Sequence, residues 1–203
     1  PLMLIPDGNF PAGAPNPISR GKMDIAVSKA GELKGSVAIG TDGDGDRVVF
    51  GDYRGTLNAG FASLPVLKAL LKLQQPAGGQ NLVIYDPKFS PLALLEWKNL
   101  GIKPYLFRNG HSQIKDYMHK IGAMAAVEES GHFYHTLSLN NLTMYGENSV
   151  VTTLLFLKAL KSNPSLIDSL WELQGSVFST GEFNFKFRNN SIRDRALKDM
   201  TDS

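Results

Sequence analysis

The chain has 203 residues, 42% of them hydrophobic and 20% charged, which is enough for one large domain or two small ones with a real buried core. A formal net charge of +2 produces no overall field pointing to nucleic acid or a membrane surface as partner. Cysteine is absent, which excludes a disulfide framework and a thiolate metal site, so any metal must be held by Asp, Glu, His or backbone oxygen. No apolar run approaches the roughly 18 residues of a membrane span, and the opening stretch 1–6 is too short for a secretory leader and has no basic lead. The expectation is a soluble, cytoplasmic protein.

The first twenty residues carry Pro6, Pro11, Pro15 and Pro17 and read as loop, so the chain is expected to begin inside a domain. A short helix is predicted over 23–33, then a buried strand over 36–40 that resumes at Val48, Val49 and Phe50, with a turn over 52–55. Leu64, Leu67, Leu70 and Leu71 recur at helical spacing and predict a helix over 62–74. The stretch Pro76-Ala77-Gly78-Gly79 predicts a linker. Strand and helix then alternate: strand 82–85, helix 91–100 with Pro91 in its first turn, strand 104–107, helix 112–121, strand 123–127, and helices over 147–161 and 164–173. This order predicts α/β architecture, a mixed and mainly parallel sheet flanked by helices. Residues 182–187 alternate strictly, as a half-exposed strand does, and a polar helical stretch follows. The expected division is 1–76, 77–178 and 179–203.

Thr41-Asp42-Gly43-Asp44-Gly45-Asp46-Arg47 is the most informative stretch. In an extended strand the three carboxylates would share one face and repel one another. The glycines between them let the loop curl and aim all three at one point. A hard dication with oxygen ligands removes the repulsion, and Mg²⁺ fits best if it keeps an outside oxygen such as a phosphate. Arg47 beside it can fork onto that phosphate. A solvated acidic turn does not explain three aspartates between hydrophobic segments. An EF-hand loop would need Gly in place of Arg47 and Glu in place of Tyr53. A phosphatase of the haloacid-dehalogenase class, with Asp44 as nucleophile, would place its Asp-x-Asp directly after the strand, whereas Asp42-Gly43 intervenes.

Three further stretches carry candidate groups. Glu128-Glu129-Ser130-Gly131-His132 follows a predicted strand; Glu128 and Ser130, two apart, suit neighbouring sugar hydroxyls, and His132 can trade a proton near neutral pH. His111 and Ser112 open a predicted helix, where an anion can sit. Lys88 lies at the C-terminal end of a predicted strand, where α/β ligand sites gather.

With Pro6-Asp7-Gly8-Asn9-Phe10-Pro11 and Pro15-Asn16-Pro17, these stretches resemble the α-D-phosphohexomutases in order and spacing over nearly the whole chain. The resemblance implies four domains around a cleft: one with a phosphoserine, one with the Mg²⁺ loop, one with a sugar-recognition loop and one that binds phosphate. It implies Asp42, Asp44 and Asp46 as Mg²⁺ ligands and Arg47 as a phosphate contact. Glu128 and Ser130 would hold the sugar 3- and 4-hydroxyls, and His111 would line the cleft with Lys88 and His132, the last two as proton-transfer groups. The implied ligands are a hexose phosphate, of mannose or glucose, and a hexose 1,6-bisphosphate. No Ser-His-Asn-Pro phosphoserine motif occurs, Val127 replaces the usual Gly before Glu128, and Tyr145-Gly146-Glu147 replaces a usual Asp-Gly pair. The expectation is therefore the second half of domain two, domain three and the entry to domain four, inactive alone. The alternatives are a non-catalytic remnant that binds a metal or sugar phosphate, and the phosphatase.

Overall fold

The computed structural model describes residues 7–11, 13–73, 81–139, 142–178 and 185–202. Helix α1 (Asp24–Glu32) precedes a small antiparallel sheet of β1 (Ala38–Thr41), β2 (Val48–Asp52) and β3 (Gly55–Thr56). Helix α2 (Ala59–Leu73) leads into a larger unit, with β4 (Leu82–Tyr85), α3 (Pro91–Asn99), β5 (Lys103–Leu106), α4 (His111–Ile121) and β6 (Ala125–Val127). The hairpin β7 (Phe133–Leu139) and β8 (Leu142–Glu147) follows, then α5 (Ser149–Ser162), α6 (Leu166–Gly175) and α7 (Asn190–Thr201). Among the described residues no helix is long and apolar enough to cross a membrane.

The larger sheet has the order β5-β4-β6-β7-β8. Its β4–β5 and β4–β6 pairs are parallel, while β6–β7 and β7–β8 are antiparallel. The helix-flanked α/β class is as expected, but the parallel share is half rather than most. The reason is the β7–β8 hairpin, for which the sequence carries no clear strand pattern. Its outer strand is largely exposed, and Leu142 and Met144 point to solvent, so hydrophobic alternation marks no buried face. The half-exposed strand expected over 182–187 is not seen: Phe185, Lys186 and Phe187 form no strand, and 182–184, like the linker at 76–79, lie outside the described residues.

One apolar core joins both sheets. Val48 and Phe50 of β2 pack with Phe61, Val66, Leu67 and Leu70 of α2, Trp97 of α3, Phe133 of β7 and Phe156 of α5. On the opposite face of the larger sheet, Ile114 and Met118 of α4 cover Ile84, Ala126 and Tyr134. Strand β2 is buried along its whole length because α1 covers Val49 on one side while Phe50 enters the shared core on the other. The Phe50 ring stacks on Phe156 at 4.1 Å between centroids and meets Phe133 edge-on at 6.3 Å. A salt bridge adds to this: Arg54, in the β2–β3 turn, bonds Asp52 at 2.6 Å and Asp168 of α6 at 2.8 Å. The helix just before the expected 76/77 boundary thus packs with the elements that follow it.

Because Phe50 links the two sheets, Phe50→Ala is expected to lower stability by about 3–5 kcal/mol. Urea unfolding followed by circular dichroism measures this. An unchanged midpoint would show that the sheets do not share a core.

Candidate active site

The aspartate loop leaves β1 at Thr41 and re-enters the sheet at Val48. Gly45 turns it with φ +75°, a conformation that side chains resist. One carboxylate oxygen from each of Asp42, Asp44 and Asp46 lies within 4.8 Å of the others, so the loop does aim all three at one point. Asp42 is buried at 7% exposure and is held from both sides by Arg47, whose backbone N–H donates to Oδ1 at 3.1 Å and whose Nε donates to Oδ2 at 2.7 Å. Burial works against its charge, but the Arg47 backbone and side-chain donors prevail and hold the carboxyl below the ordinary range. Asp46 moves the other way: burial raises its pKa, and the neighbouring carboxylate of Asp42 adds to the rise. Its Oδ1 is buried and accepts no hydrogen bond, and Arg47 Nε stands 3.8 Å away. A buried carboxylate oxygen without a donor, beside two more carboxylates, fits a hard cation such as Mg²⁺.

The loop is anchored from outside. Arg47 Nη1 donates to Asn16 Oδ1 at 3.1 Å, and Ser149 Oγ, at the start of α5, donates to the Gly45 carbonyl. Asn148 caps that helix by accepting the Val151 N–H at 2.9 Å, which is why α5 starts at Ser149 rather than at 147.

The tip 128–132 joins β6 to β7, with Val127 opposite Phe133. The Glu128 N–H donates to the His132 carbonyl at 3.0 Å, and the Gly131 N–H to the Glu128 carbonyl at 3.0 Å. The tip docks on β2: the Val48 N–H donates to the Gly131 carbonyl at 2.9 Å, and Arg47 pairs with His132 as an isolated antiparallel bridge. Gly131 has φ +90°, and a Cβ there would stand 3.1 Å from the Val48 carbonyl oxygen, so glycine permits this approach.

His132 is where the two loops meet. Its Nε2 is 3.4 Å from Asp46 Oδ2, its Nδ1 is 3.5 Å from Glu128 Oε2, and Ser130 Oγ is 2.9 Å from the same Nδ1. Tyr134 donates its hydroxyl to Glu128 Oε2 at 2.5 Å. Burial and the Glu128 carboxylate raise the Tyr134 pKa, which keeps the phenol a donor. Arg47, Asp42, Asp44, Asp46, Glu128, Ser130 and His132 therefore form one constellation.

His111 and Lys88 lie at other elements. His111 opens α4 and is exposed, with Nδ1 4.0 Å from Glu147 Oε1; Lys115 Nζ is 3.0 Å from the other oxygen of that carboxylate. Lys88, exposed after β4, has its charge near Asp86 and Glu129. Sequence reasoning gave no role to Asn16, Tyr134, Ser149 or Glu129. Asn16 lies within a quoted Pro-Asn-Pro stretch, and Tyr134 sits two residues past His132, on the same strand face, a signal that was available once β7 was recognised.

Residues 1–55 match the family model described as phosphoglucomutase/phosphomannomutase, alpha/beta/alpha domain II, and residues 62–176 match alpha/beta/alpha domain III of the same family. A phosphomannomutase/phosphoglucomutase of Pseudomonas syringae is 30% identical over 185 residues, 89% of this chain and 37% of the relative. A protein of Xanthomonas campestris described as phosphohexose mutases is 29% identical over 182 residues, covering 89% of this chain and 39% of the relative. A crystal structure of a phosphoglucomutase/phosphomannomutase family protein from Burkholderia thailandensis superposes with a TM-score of 0.66 at 24% identity, over 86% of this chain and 36% of that one, and shows the shared fold. This chain therefore spans under two fifths of the length of those relatives. Two successive domain models cover most of its residues, and the chain belongs to the phosphoglucomutase/phosphomannomutase family.

Proposed function

We propose that this chain supplies the metal-binding and sugar-recognition parts of a phosphohexomutase. The whole protein would interconvert hexose 1-phosphate and hexose 6-phosphate, of glucose or mannose, through a phosphoserine and a hexose 1,6-bisphosphate. The observation that carries the reading is the junction of the two loops at His132, which touches Asp46 on one side and Glu128 and Ser130 on the other. A carboxylate cluster alone has many uses; one set against a carboxylate and hydroxyl suited to sugar hydroxyls fits a sugar phosphate.

Asp42, Asp44 and Asp46 would hold Mg²⁺, which when bound neutralises part of the charge on a phosphoryl group in transfer. Arg47 already spends Nε on Asp42 and Nη1 on Asn16, which fixes the guanidinium plane. Its remaining donors would meet phosphate oxygens in that fixed orientation. Glu128, oriented by Tyr134, would accept from one sugar hydroxyl, and Ser130 would engage its neighbour. His132 would hold or pass a proton at the ring nitrogen facing the substrate. Lys88 would add positive charge near the C-terminal end of β4, and His111, with its ring held towards Glu147, would line the substrate side of α4. The same reading divides the chain near Asn58, because α2 packs with α3, α5 and α6 and the domain III match begins at residue 62.

Calorimetric titration of Mg²⁺ into the chain is expected to show weak binding that Asp44→Ala removes; Asp44 is exposed, so the variant should keep its fold. Equal heats from both proteins would contradict the metal assignment. In the full-length protein, Glu128→Gln is expected to lower kcat/KM for glucose 1-phosphate by about 10- to 100-fold, the ~1.5–3 kcal/mol of a charged hydrogen bond. Unchanged kinetics would remove Glu128 from the site. The 203-residue chain alone is expected to give no measurable conversion of hexose 1-phosphate to the 6-phosphate, because its sequence holds no Ser-His-Asn-Pro motif; robust turnover would sink the phosphoserine mechanism for it.

A further inference from the structure

Glu129 stands between the two residues assigned to the sugar and faces away from them. Its Oε1 accepts the Ala59 N–H at 3.1 Å, and its Oε2 the Gly60 N–H at 3.3 Å. These are the first N–H groups of α2, which have no partner within the helix, and the helix N-terminus favours negative charge. A carboxylate about 70 residues away in sequence thus closes the end of a core helix. The same bonds tie the middle of the 128–132 tip to a rigid element, while Glu128 and Ser130 meet His132 on the other side. The carboxylate also borders a cavity of about 200 Å³ shared with Val48, Leu57, Ala59 and Phe133.

We propose that Glu129 is a positioning residue: by bonding the first amides of α2 it sets the tip so that Glu128 and Ser130 meet the hexose phosphate. This rests on the sugar-recognition reading above.

The charged groups facing Glu129 are Asp86 at the end of β4, Lys88 just after it, and Glu128 close to Asp86. The first turn of α2, residues 59–62, has no titratable side chain. Burial, with the Asp86 charge behind it, pushes the Glu129 carboxyl up to about 7, against the pull of the Gly60 and Ala59 amides and Lys88. A group whose pKa rises on docking binds a proton as it docks. The tie is therefore strongest below the ordinary carboxylate pKa and weakens as pH rises through about 7.

The test uses the 203-residue chain and two variants. Glu129→Gln keeps an acceptor but cannot ionise; Glu129→Ala keeps neither. Amide hydrogen exchange reads the tie without any ligand. Protection factors at Ala59, Gly60 and the 128–132 tip are expected to fall about tenfold from pH 6 to pH 8 in the parent and to stay flat in Glu129→Gln. In Glu129→Ala they should be low at both pH values. With glucose 1-phosphate as probe in the full-length protein, Glu129→Ala should raise KM about tenfold and leave kcat within about twofold, with Glu129→Gln restoring most of the loss. Protection at Ala59 and Gly60 unchanged by Glu129→Ala would overturn the proposal. So would unchanged kinetics in Glu129→Ala while Glu128→Gln is impaired. Unchanged kinetics in Glu128→Gln together with lost protection in Glu129→Ala would instead refute the sugar-recognition reading and, with it, the positioning role, leaving Glu129 as a helix cap only.

Discussion

The backbone contact between β2 and the 128–132 tip is the constraint on which the site depends. The Val48 N–H meets the Gly131 carbonyl, and Arg47 pairs with His132, at the point where the aspartate loop re-enters its sheet. One unit's aspartate loop and the other's 128–132 tip are thereby held in fixed register by main-chain geometry. Glycine at 131 is favoured because its φ is positive and a Cβ there would crowd the Val48 carbonyl at 3.1 Å. Beneath this contact, Phe50 and Phe133 extend the same two strands into one core, so the register rests on buried aromatic packing as well as on hydrogen bonds.

Charge is arranged around that contact in a graded way. Asp42 is satisfied by Arg47 and stays ionised, whereas Asp46 keeps a buried oxygen without a donor. The loop is thus partly neutralised before any ligand arrives, and the remaining imbalance is concentrated on the side that faces His132. The tip shows a similar split between its two acidic neighbours: Glu128 is held by Tyr134 and His132, and Glu129 by the start of α2. The two adjacent carboxylates are thus directed to different partners on either side of a tight turn.

Much of this was legible in the sequence, and what was missed has a common physical origin. The aspartate loop could be read because repulsion among Asp42, Asp44 and Asp46 needs a remedy that the residues themselves name. The parallel strands β4, β5 and β6 could be read because each is a short, mainly apolar run that adjoins a helical pattern. The β7–β8 hairpin could not, because its outer strand buries little. Helix α2 was expected to start at 62 and starts at Ala59, because its first amides are closed by Glu129, a partner about 70 residues away that no local capping pattern reveals. Helix α5 erred in the other direction, where the local signal, Asn148 as cap, was present and decides the start. The tertiary partners of Arg47 and Gly45, namely Asn16 and Ser149, likewise became visible only when the chain was folded.

The central claim is that the aspartate loop and the 128–132 tip are one site. Mn²⁺ titrated into the chain with labelled histidines tests it directly, because the paramagnetic ion broadens nearby imidazole resonances. The account predicts that His132 broadens first, at substoichiometric Mn²⁺, ahead of His119 on the far end of α4, and that Asp44→Ala abolishes the difference. Equal broadening of His132 and His119 in the parent chain would contradict it.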